Sequence, residues 1–190
     1  MMNMNDILSF IQNLNLAAYQ VTEKLGSPLL YHIMSYVVES YFIVLPIVIL
    51  YLLFKRDRNA FSFAVALLVL YMVGDIIKMI VKEPRPCSLQ GLQYLQGYCD
   101  TGYSFPSNHA TVLTGLALFI NYRYLKILYL MWVAILLFGK VLLAQHYLTD
   151  IIAGVIISLV IARLLKVFSR DINETLAKIF NKIFGRAFRI

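Results

Sequence analysis

Charged residues are scarce in this 190-residue chain. They make up 14% of it, whereas hydrophobic residues make up 61%. A water-soluble domain of this size needs more polar surface, so the composition indicates an integral membrane protein. The net charge of +7 could attract nucleic acid, but no basic patch interleaved with aromatics lies outside the hydrophobic runs, and no nucleic-acid partner is expected. An uneven placement of Lys and Arg across a membrane explains the charge better.

Low-complexity segments, internal repeats and long hydrophilic linkers are also absent. One membrane domain over residues 1–190 is therefore the economical interpretation. The N-terminal sequence lacks the basic region and the small-residue cleavage site of a secretory signal, so residue 1 is expected to belong to the mature protein.

Hydrophobic runs predict an all-α fold, a polytopic membrane helix bundle with five to six transmembrane helices and a core at about 30–168. The five predicted spans, the third of them short, lie at about 30–54, 60–81, 108–120, 127–143 and 148–168. Residues 6–24 carry an apolar stripe opposite Asn and Gln, which predicts a helix lying in the membrane interface or, alternatively, a short first span. Residues 169–190 predict a basic amphipathic tail on the membrane surface.

Orientation follows from the basic residues once the spans alternate across the bilayer. One side receives Lys55, Arg56, Arg58, Arg123, Lys126, Arg163, Lys166, Arg170 and the basic tail. Because Lys and Arg concentrate in cytoplasmic loops, this side and the C-terminus are predicted to be cytoplasmic. The opposite ends of the spans are predicted to face the outside or the periplasm of a cell membrane.

Cysteine is rare, and both residues, Cys87 and Cys99, lie in the predicted outer loop. An oxidising environment there would permit a disulfide, which we favour over two unpaired thiols. A zinc site is not expected, because two cysteines without a nearby pair of histidines supply too few ligands.

Three groups of polar residues lie at the outer ends of the predicted spans, where such groups are costly and usually functional. The first is Lys78 and Arg85. About two helical turns separate them, so both side chains can point at one place and bind an anion such as phosphate, which Arg85 could grip through two oxygens. The alternative for the lysine is that it snorkels to the interface.

The second group, Ser107, Asn108 and His109, opens the third span. Backbone N–H groups at a helix N-terminus, together with the Ser107 hydroxyl, form an anion cradle. His109 is then placed to donate a proton. The alternative is that Ser107 serves only as an N-cap and His109 only as a capping residue at the interface.

The third group is Lys140, His146 and Asp150. On a helix, His146 and Asp150 would lie one turn apart on the same face, where the carboxylate can hold the imidazole in one tautomer. Such a pair is typical of an oriented nucleophile or base. The alternative is a buried histidine that makes a structural hydrogen bond.

The order and spacing of the three groups resemble the type 2 phosphatidic acid phosphatase (PAP2) superfamily, which comprises membrane lipid phosphatases, soluble acid phosphatases and vanadium haloperoxidases. The residues that carry the resemblance are Lys78, Arg85 and Pro86, then Pro106, Ser107 and His109, then Lys140, His146 and Asp150. The family usually has Gly where this chain has Asn108, and Ser-Arg where it has Gly139 and Lys140. Lysine keeps the charge but loses the bidentate fork of arginine.

The resemblance implies a mechanism. His146 would attack phosphorus and form a phosphohistidine, oriented by Asp150, while His109 would protonate the leaving oxygen and later activate water. The phosphoryl oxygens would be held by Lys78, Arg85, Ser107, Asn108 and Lys140. No metal and no other cofactor would be needed.

By the same resemblance, the expected substrate is a lipid phosphate or diphosphate, and the expected partners are that substrate and membrane lipids. A polyprenyl diphosphate is favoured by the compact chain, the external site and the non-glycine residue at 108. The alternatives are phosphatidylglycerol phosphate, phosphatidic acid and lipid A phosphate. A non-catalytic phospholipid binder or transporter also stays open, although binding alone needs no nucleophile with an orienting carboxylate.

Two further carboxylates, Glu39 and Asp75, fall inside predicted spans. Each is expected to contact the site or to pair with a neighbour. Asp75 lies about one turn from Lys78, which predicts a supporting ion pair between them.

Overall fold

The computed structural model describes residues 4–57, 59–88 and 93–185. Predicted features that fall on residue 58, on residues 89–92 of the outer loop and on the tail beyond 185 lie outside these ranges. The α-helices are α1 (Met4–Leu25), α2 (Pro28–Glu39), α3 (Tyr41–Phe54), α4 (Asn59–Val81), α5 (Asn108–Leu116), α6 (Arg123–Leu142), α7 (Leu148–Val167) and α8 (Ser169–Phe184). Short 3-10 turns occupy Pro86–Ser88, Gln93–Tyr98 and Ala117–Phe119. The described residues contain no strand, which confirms the all-α prediction.

Four helical segments are long and apolar enough to cross a membrane: Pro28–Phe54, Asn59–Ser88, Arg123–Leu142 and Leu148–Val167. They agree closely with four of the five predicted spans. The first segment consists of α2 and α3, which meet at Ser40. Ser27 caps the start of α2 by accepting a hydrogen bond from the backbone N–H of Leu30 at 3.2 Å, and Pro28 fits the first helical turn because its missing N–H is not needed there.

The predicted third span is the short helix α5. Its nine residues are followed by the 3-10 turn Ala117–Phe119 and the linking residues 120–122, of which Ile120 and Tyr122 are extended. Summed along the chain, these pieces are about 30 Å long, which is about the thickness of a bilayer core. A continuous helix is unnecessary because α5 is enclosed by α4 and α7, so its backbone meets protein and not lipid.

Close packing of α5 against α7 depends on Gly154. A Cβ atom at this position would lie 2.8 Å from the Cβ of Ala110 and 2.9 Å from the carbonyl oxygen of Ser107. Gly74 on α4 provides the corresponding space for Asn108 at the other side of α5. The two glycines thus set the position of the α5 N-terminus between its neighbours.

The terminal helices contact the rest of the bundle. Helix α1 packs against α6 and α7, and the Asn15 amide hydrogen-bonds the Thr149 side chain at 3.1 Å; the placement of α1 in the membrane interface stays a prediction. Helix α8 packs on α4, where Asn173 accepts hydrogen bonds from the backbone N–H of Ser62 at 3.0 Å and from its hydroxyl at 2.7 Å. The predicted amphipathic tail is therefore a helix with one face attached to the bundle.

Candidate active site

A cavity of about 610 Å³ opens where α2, α3, α4 and α5 meet the loop at residues 100–103. Polar side chains line one part of it: Glu39, Asp75, Lys78, Arg85, Asp100, Asn108, His109 and His146. Apolar side chains line another part, among them Phe42, Leu45, Leu67, Val112 and Leu113. The cavity thus offers a charged region joined to an apolar one. All three sequence groups contribute at least one residue to it.

His146 and Asp150 are paired, although not on one helix as the sequence spacing suggested. His146 lies in the turn before α7, and Asp150 is the third residue of that helix. The Asp150 carboxylate points back over the helix N-terminus, where it accepts from the backbone N–H of Tyr147 at 2.9 Å and lies 3.3 Å from Nδ1 of His146. Ser104 donates its hydroxyl proton to the same carboxylate oxygen at 2.5 Å. A helix-capping arrangement therefore produces the contact.

The tautomer of His146 follows from its contact with Arg85. Its Nε2 lies 3.3 Å from Nη1 of Arg85. A guanidinium group can only donate, so Nε2 must present its lone pair, and the ring proton must lie on Nδ1, facing Asp150. Burial lowers the pKa of His146 to about 4, against a smaller opposing effect of the Asp150 hydrogen bond. The imidazole is therefore neutral at neutral pH, and its electron pair lies on Nε2, where Arg85 donates to it.

Arg85 and Lys78 both reach the cavity, and both also fix the loop beside it. Arg85 donates to the carbonyl oxygens of Gln145 at 2.7 Å, Gly102 at 3.2 Å and Thr101 at 3.3 Å. Lys78 donates to the carbonyl oxygens of residues 103 and 104 at 2.8 and 3.0 Å. Carbonyl partners do not neutralise these charges, and the acidic partner of Arg85, Asp100, is 3.7 Å away, so this region of the cavity favours an anion.

The N-terminus of α5 supplies three residues with different contacts. The Ser107 hydroxyl accepts from the backbone N–H of Ala110 at 3.4 Å and is fully buried, so it acts here as the helix cap. Asn108 donates to Asp75 at 2.6 Å. His109 lines the cavity, packs edge-on against Tyr41 with ring centroids 4.8 Å apart, and keeps a buried Nδ1 without a hydrogen-bond partner among the described residues. Such an unsatisfied nitrogen is expected where a ligand completes the site.

Lys140 is held differently from the other two cations. Its side chain has no exposed surface and lies between two carboxylates, with Nζ 3.0 Å from Asp100 and 3.9 Å from Glu39. It is absent from the described residues that line the cavity, whereas Asp100 and Glu39 are present among them. In this structure the acidic groups therefore cover the lysine.

The chain matches the profile of the PAP2 superfamily over residues 59–174, which is more than half of its length. The chain belongs to the PAP2 superfamily. A relative from Sulfolobus acidocaldarius named undecaprenyl-diphosphatase is 26% identical over 117 residues, which is 60% of this chain and 57% of that protein. A crystal structure of a transmembrane PAP2 type phosphatidylglycerolphosphate phosphatase from Bacillus subtilis superposes with a TM-score of 0.63 at 19% identity, covering 89% of each chain. With four apolar segments of spanning length and this fold, the chain is an integral membrane protein.

One position at which this PAP2 chain departs from the usual motif is Asn108. The Asn108 side chain donates to Asp75, the carboxylate for which the sequence predicted an ion pair with Lys78. No Asp75–Lys78 ion pair forms among the described residues, because Lys78 turns to the loop carbonyls instead. The prediction of that ion pair was wrong, since helix spacing alone does not reveal a competing partner on a neighbouring helix.

The sequence of this PAP2 chain did not single out two residues of the site. Ser104 lies two residues before Pro106 of the second motif and hydrogen-bonds Asp150. Asp100 follows Cys99 and pairs with Lys140 and Arg85. Their proximity to the motifs was the available indication. Only the folded loop shows that their side chains point inward.

The loop between α4 and α5 is closed by a disulfide between Cys87 and Cys99, whose Cα atoms are 6.0 Å apart. Cys87 follows Arg85 by two residues, and Cys99 precedes Asp100 directly. The bond therefore joins the two segments that bring Arg85 and Asp100 together. Within residues 4–57, 59–88 and 93–185, no cluster of three or more His, Cys, Asp or Glu side chains is placed to hold a metal ion.

Proposed function

We propose that this PAP2 chain is a lipid phosphatase that needs no metal and releases phosphate from a lipid phosphate or diphosphate through a phosphohistidine at His146. The observation that carries the proposal is the setting of His146. Its Nε2 lone pair lies beside Arg85 at the cavity wall, and its Nδ1 proton faces Asp150. A binding site for a phosphate would need the cation but would not need an oriented nucleophile.

In the first step, Nε2 of His146 attacks phosphorus and the bond from phosphorus to the leaving oxygen breaks. The new positive charge on the imidazole is stabilised by Asp150, which already faces the Nδ1 proton. His109, on the same cavity, must be an imidazolium while the anionic substrate is bound; it gives one proton to the leaving oxygen and becomes neutral. Arg85 and Lys78 stabilise the charge that develops on the phosphoryl oxygens.

In the second step, water attacks the phosphohistidine. His109, now without its proton, takes one proton from the water as the new phosphorus–oxygen bond forms. The phosphorus–nitrogen bond breaks, its electron pair returns to Nε2 of His146, and inorganic phosphate leaves. Both histidines then have their initial protonation states. In this scheme Ser107 and Asn108 present the α5 N-terminus to the phosphate.

The favoured substrate is a polyprenyl diphosphate, with phosphatidylglycerol phosphate, phosphatidic acid and lipid A phosphate as alternatives. The join between a cationic region and an apolar region of the cavity supports a substrate with a charged head and a hydrocarbon tail. One relative is named for undecaprenyl diphosphate. We place the site at the outer face of the cell membrane and the C-terminus in the cytoplasm, because Lys and Arg concentrate at the other ends of the spans.

The test is phosphate release by the detergent-purified protein, with EDTA present, over a panel of these four lipids. Wild-type turnover should survive EDTA, and His146→Ala should lose it by a factor of about 10³ or more, since a covalent nucleophile has no substitute. His32→Ala is the matched control, because His32 is exposed on α2 and away from the cavity. Labelled phosphate should remain on the wild-type protein after an acid-free quench and be absent from His146→Ala.

The lipid binder or transporter is the competing function. Retained lipid binding without release from any substrate, in protein that unfolds cooperatively, would favour it. Unchanged turnover in His146→Ala would overturn the phosphohistidine mechanism.

A further inference from the structure

Asp100 occupies the place in the cation cluster that an anionic ligand would be expected to take. One of its carboxylate oxygens lies 3.0 Å from Nζ of Lys140 and 3.7 Å from Nη1 of Arg85. The side chain is 29% exposed and lines the cavity, whereas Lys140 behind it has no exposed surface. An anion entering the cavity therefore meets Asp100 before it can reach Lys140.

To use both cations, a ligand must displace this carboxylate. The displacement costs the charge-assisted contacts that Asp100 makes, so the ligand must form stronger ones. A phosphodiester carries one negative charge, the same as the carboxylate that it would replace. A terminal phosphate carries close to two at neutral pH, with a second pKa of about 6. Only the terminal phosphate gains more from the two cations than Asp100 does.

The difference in charge between a phosphodiester and a terminal phosphate matters in a membrane, where phosphodiester headgroups are abundant. We propose that Asp100 is a specificity-determining residue that excludes phosphodiester headgroups and gives way to a terminal phosphate. The proposal rests on the proposed function for its substrate, and it adds the reason why bulk phospholipids do not occupy the site.

The surrounding contacts suit a carboxylate that moves and returns. The disulfide between Cys87 and Cys99 keeps Asp100 beside the Arg85 segment whether or not its ion pairs are formed. Glu39 lies 3.9 Å from Lys140 on the α2 side, so the lysine keeps one acidic neighbour when Asp100 leaves. Displacement therefore does not leave a buried charge unpaired, which would be costly.

The experiment compares the binding of methyl phosphate and dimethyl phosphate to the purified, disulfide-bonded protein by calorimetry. Wild-type protein should prefer methyl phosphate. Asp100→Asn should bind dimethyl phosphate about tenfold more tightly, the value of one charge-assisted contact, because no carboxylate then has to be displaced. Asp100→Glu keeps the charge and should keep the preference. Asp171→Asn, an exposed carboxylate on α8, is the control for a change in net charge.

An affinity of folded Asp100→Asn for dimethyl phosphate equal to that of wild type would overturn the proposal and leave Asp100 as a neutralising partner of Lys140 alone. If Asp100→Asn fails to fold, Asp100→Ser, which is neutral and smaller, is measured against the same criterion. If neither variant folds, an equal affinity of the wild-type protein for both ligands overturns the proposal, and a strong preference for methyl phosphate supports it.

These measurements need no turnover. Tighter binding of dimethyl phosphate by Asp100→Asn, in a protein that hydrolyses no lipid, would support the role of Asp100 and overturn the phosphatase. An unchanged affinity for dimethyl phosphate in an active phosphatase would do the reverse.

Discussion

Replacing Gly154 by alanine tests whether the contact between α5 and α7 sets the geometry of the site. The added Cβ would lie 2.8 Å from the Cβ of Ala110, and ordinary contacts begin at 3.4 Å, so α5 must retreat by about 0.6 Å. The backbone N–H of Ser107, which donates to the Asp150 carbonyl at 3.3 Å, moves with it. His109 also moves, because it lies on the same first turn of α5.

The expected effect on catalysis exceeds the effect on stability. Overpacking costs about 1–3 kcal/mol, and the better helix propensity of alanine offsets about 1 kcal/mol of that. A displacement approaching 1 Å between reacting groups can lower the rate by about a hundredfold, so a loss of about tenfold or more in kcat is expected for Gly154→Ala. KM should change less, because Arg85 and Lys78 do not lie on α5.

The assay is phosphate release together with thermal unfolding in detergent. Gly97→Ala is the matched control, because a Cβ at Gly97 has no described atom within 4 Å. A kcat for Gly154→Ala within about twofold of wild type, at an unchanged unfolding temperature, would show that α5 adjusts freely and would refute the argument.

Three further predictions concern single residues. Burial lowers the pKa of His146 to about 4, and protonation removes the attacking lone pair. Formation of the phosphohistidine in single turnovers should therefore decline only as the pH falls towards that value. A decline centred near the ordinary pKa of about 6.5 would contradict this prediction. Gly74→Ala should lower the unfolding temperature, because the added Cβ would collide with the Asn108 side chain. A second change, Asn108→Gly, should restore the unfolding temperature. A double variant no more stable than the single one would contradict the collision. Lys140→Arg should destabilise the protein by about 1–3 kcal/mol in thermal unfolding, because the larger group must fit a site without exposed surface. Tighter phosphate binding with unchanged stability would contradict the tight packing around Lys140.

The sequence was sufficient for the features that depend on local pattern. Long apolar runs ended by charge or proline placed four of the spans within a few residues of those observed. The order of the motifs predicted one shared site, and one cavity is lined by Arg85, His109 and His146. Each of these residues lies at the same end of the bundle. The polar chemistry of these residues predicted an anion site before any contact was known.

The sequence did not reveal contacts between segments that lie far apart in the chain. The pairing of Asp75 with Asn108 needs the crossing of α4 and α5, which Gly74 permits. The spacing of His146 and Asp150 suggested one helix, although the capping geometry at the start of α7 produces the contact. Asp100 was missed because an aspartate in a loop carries no periodicity, and its inward direction depends on the packing of that loop.

The departures from the usual family motif at Gly139 and Lys140 are explained by one packing arrangement. A Cβ at Gly139 would lie 2.8 Å from Cγ1 of Val38, so the serine usual in the family would push α2 away from α6. With glycine, α2 approaches closely enough to place Glu39 3.9 Å from Lys140. A compact ammonium group fits between Glu39 and Asp100, whereas a planar guanidinium needs more room and a partner for each edge. Glycine and lysine at these two positions are therefore consequences of the same close contact, and neither is a simple loss of a phosphate-binding arginine.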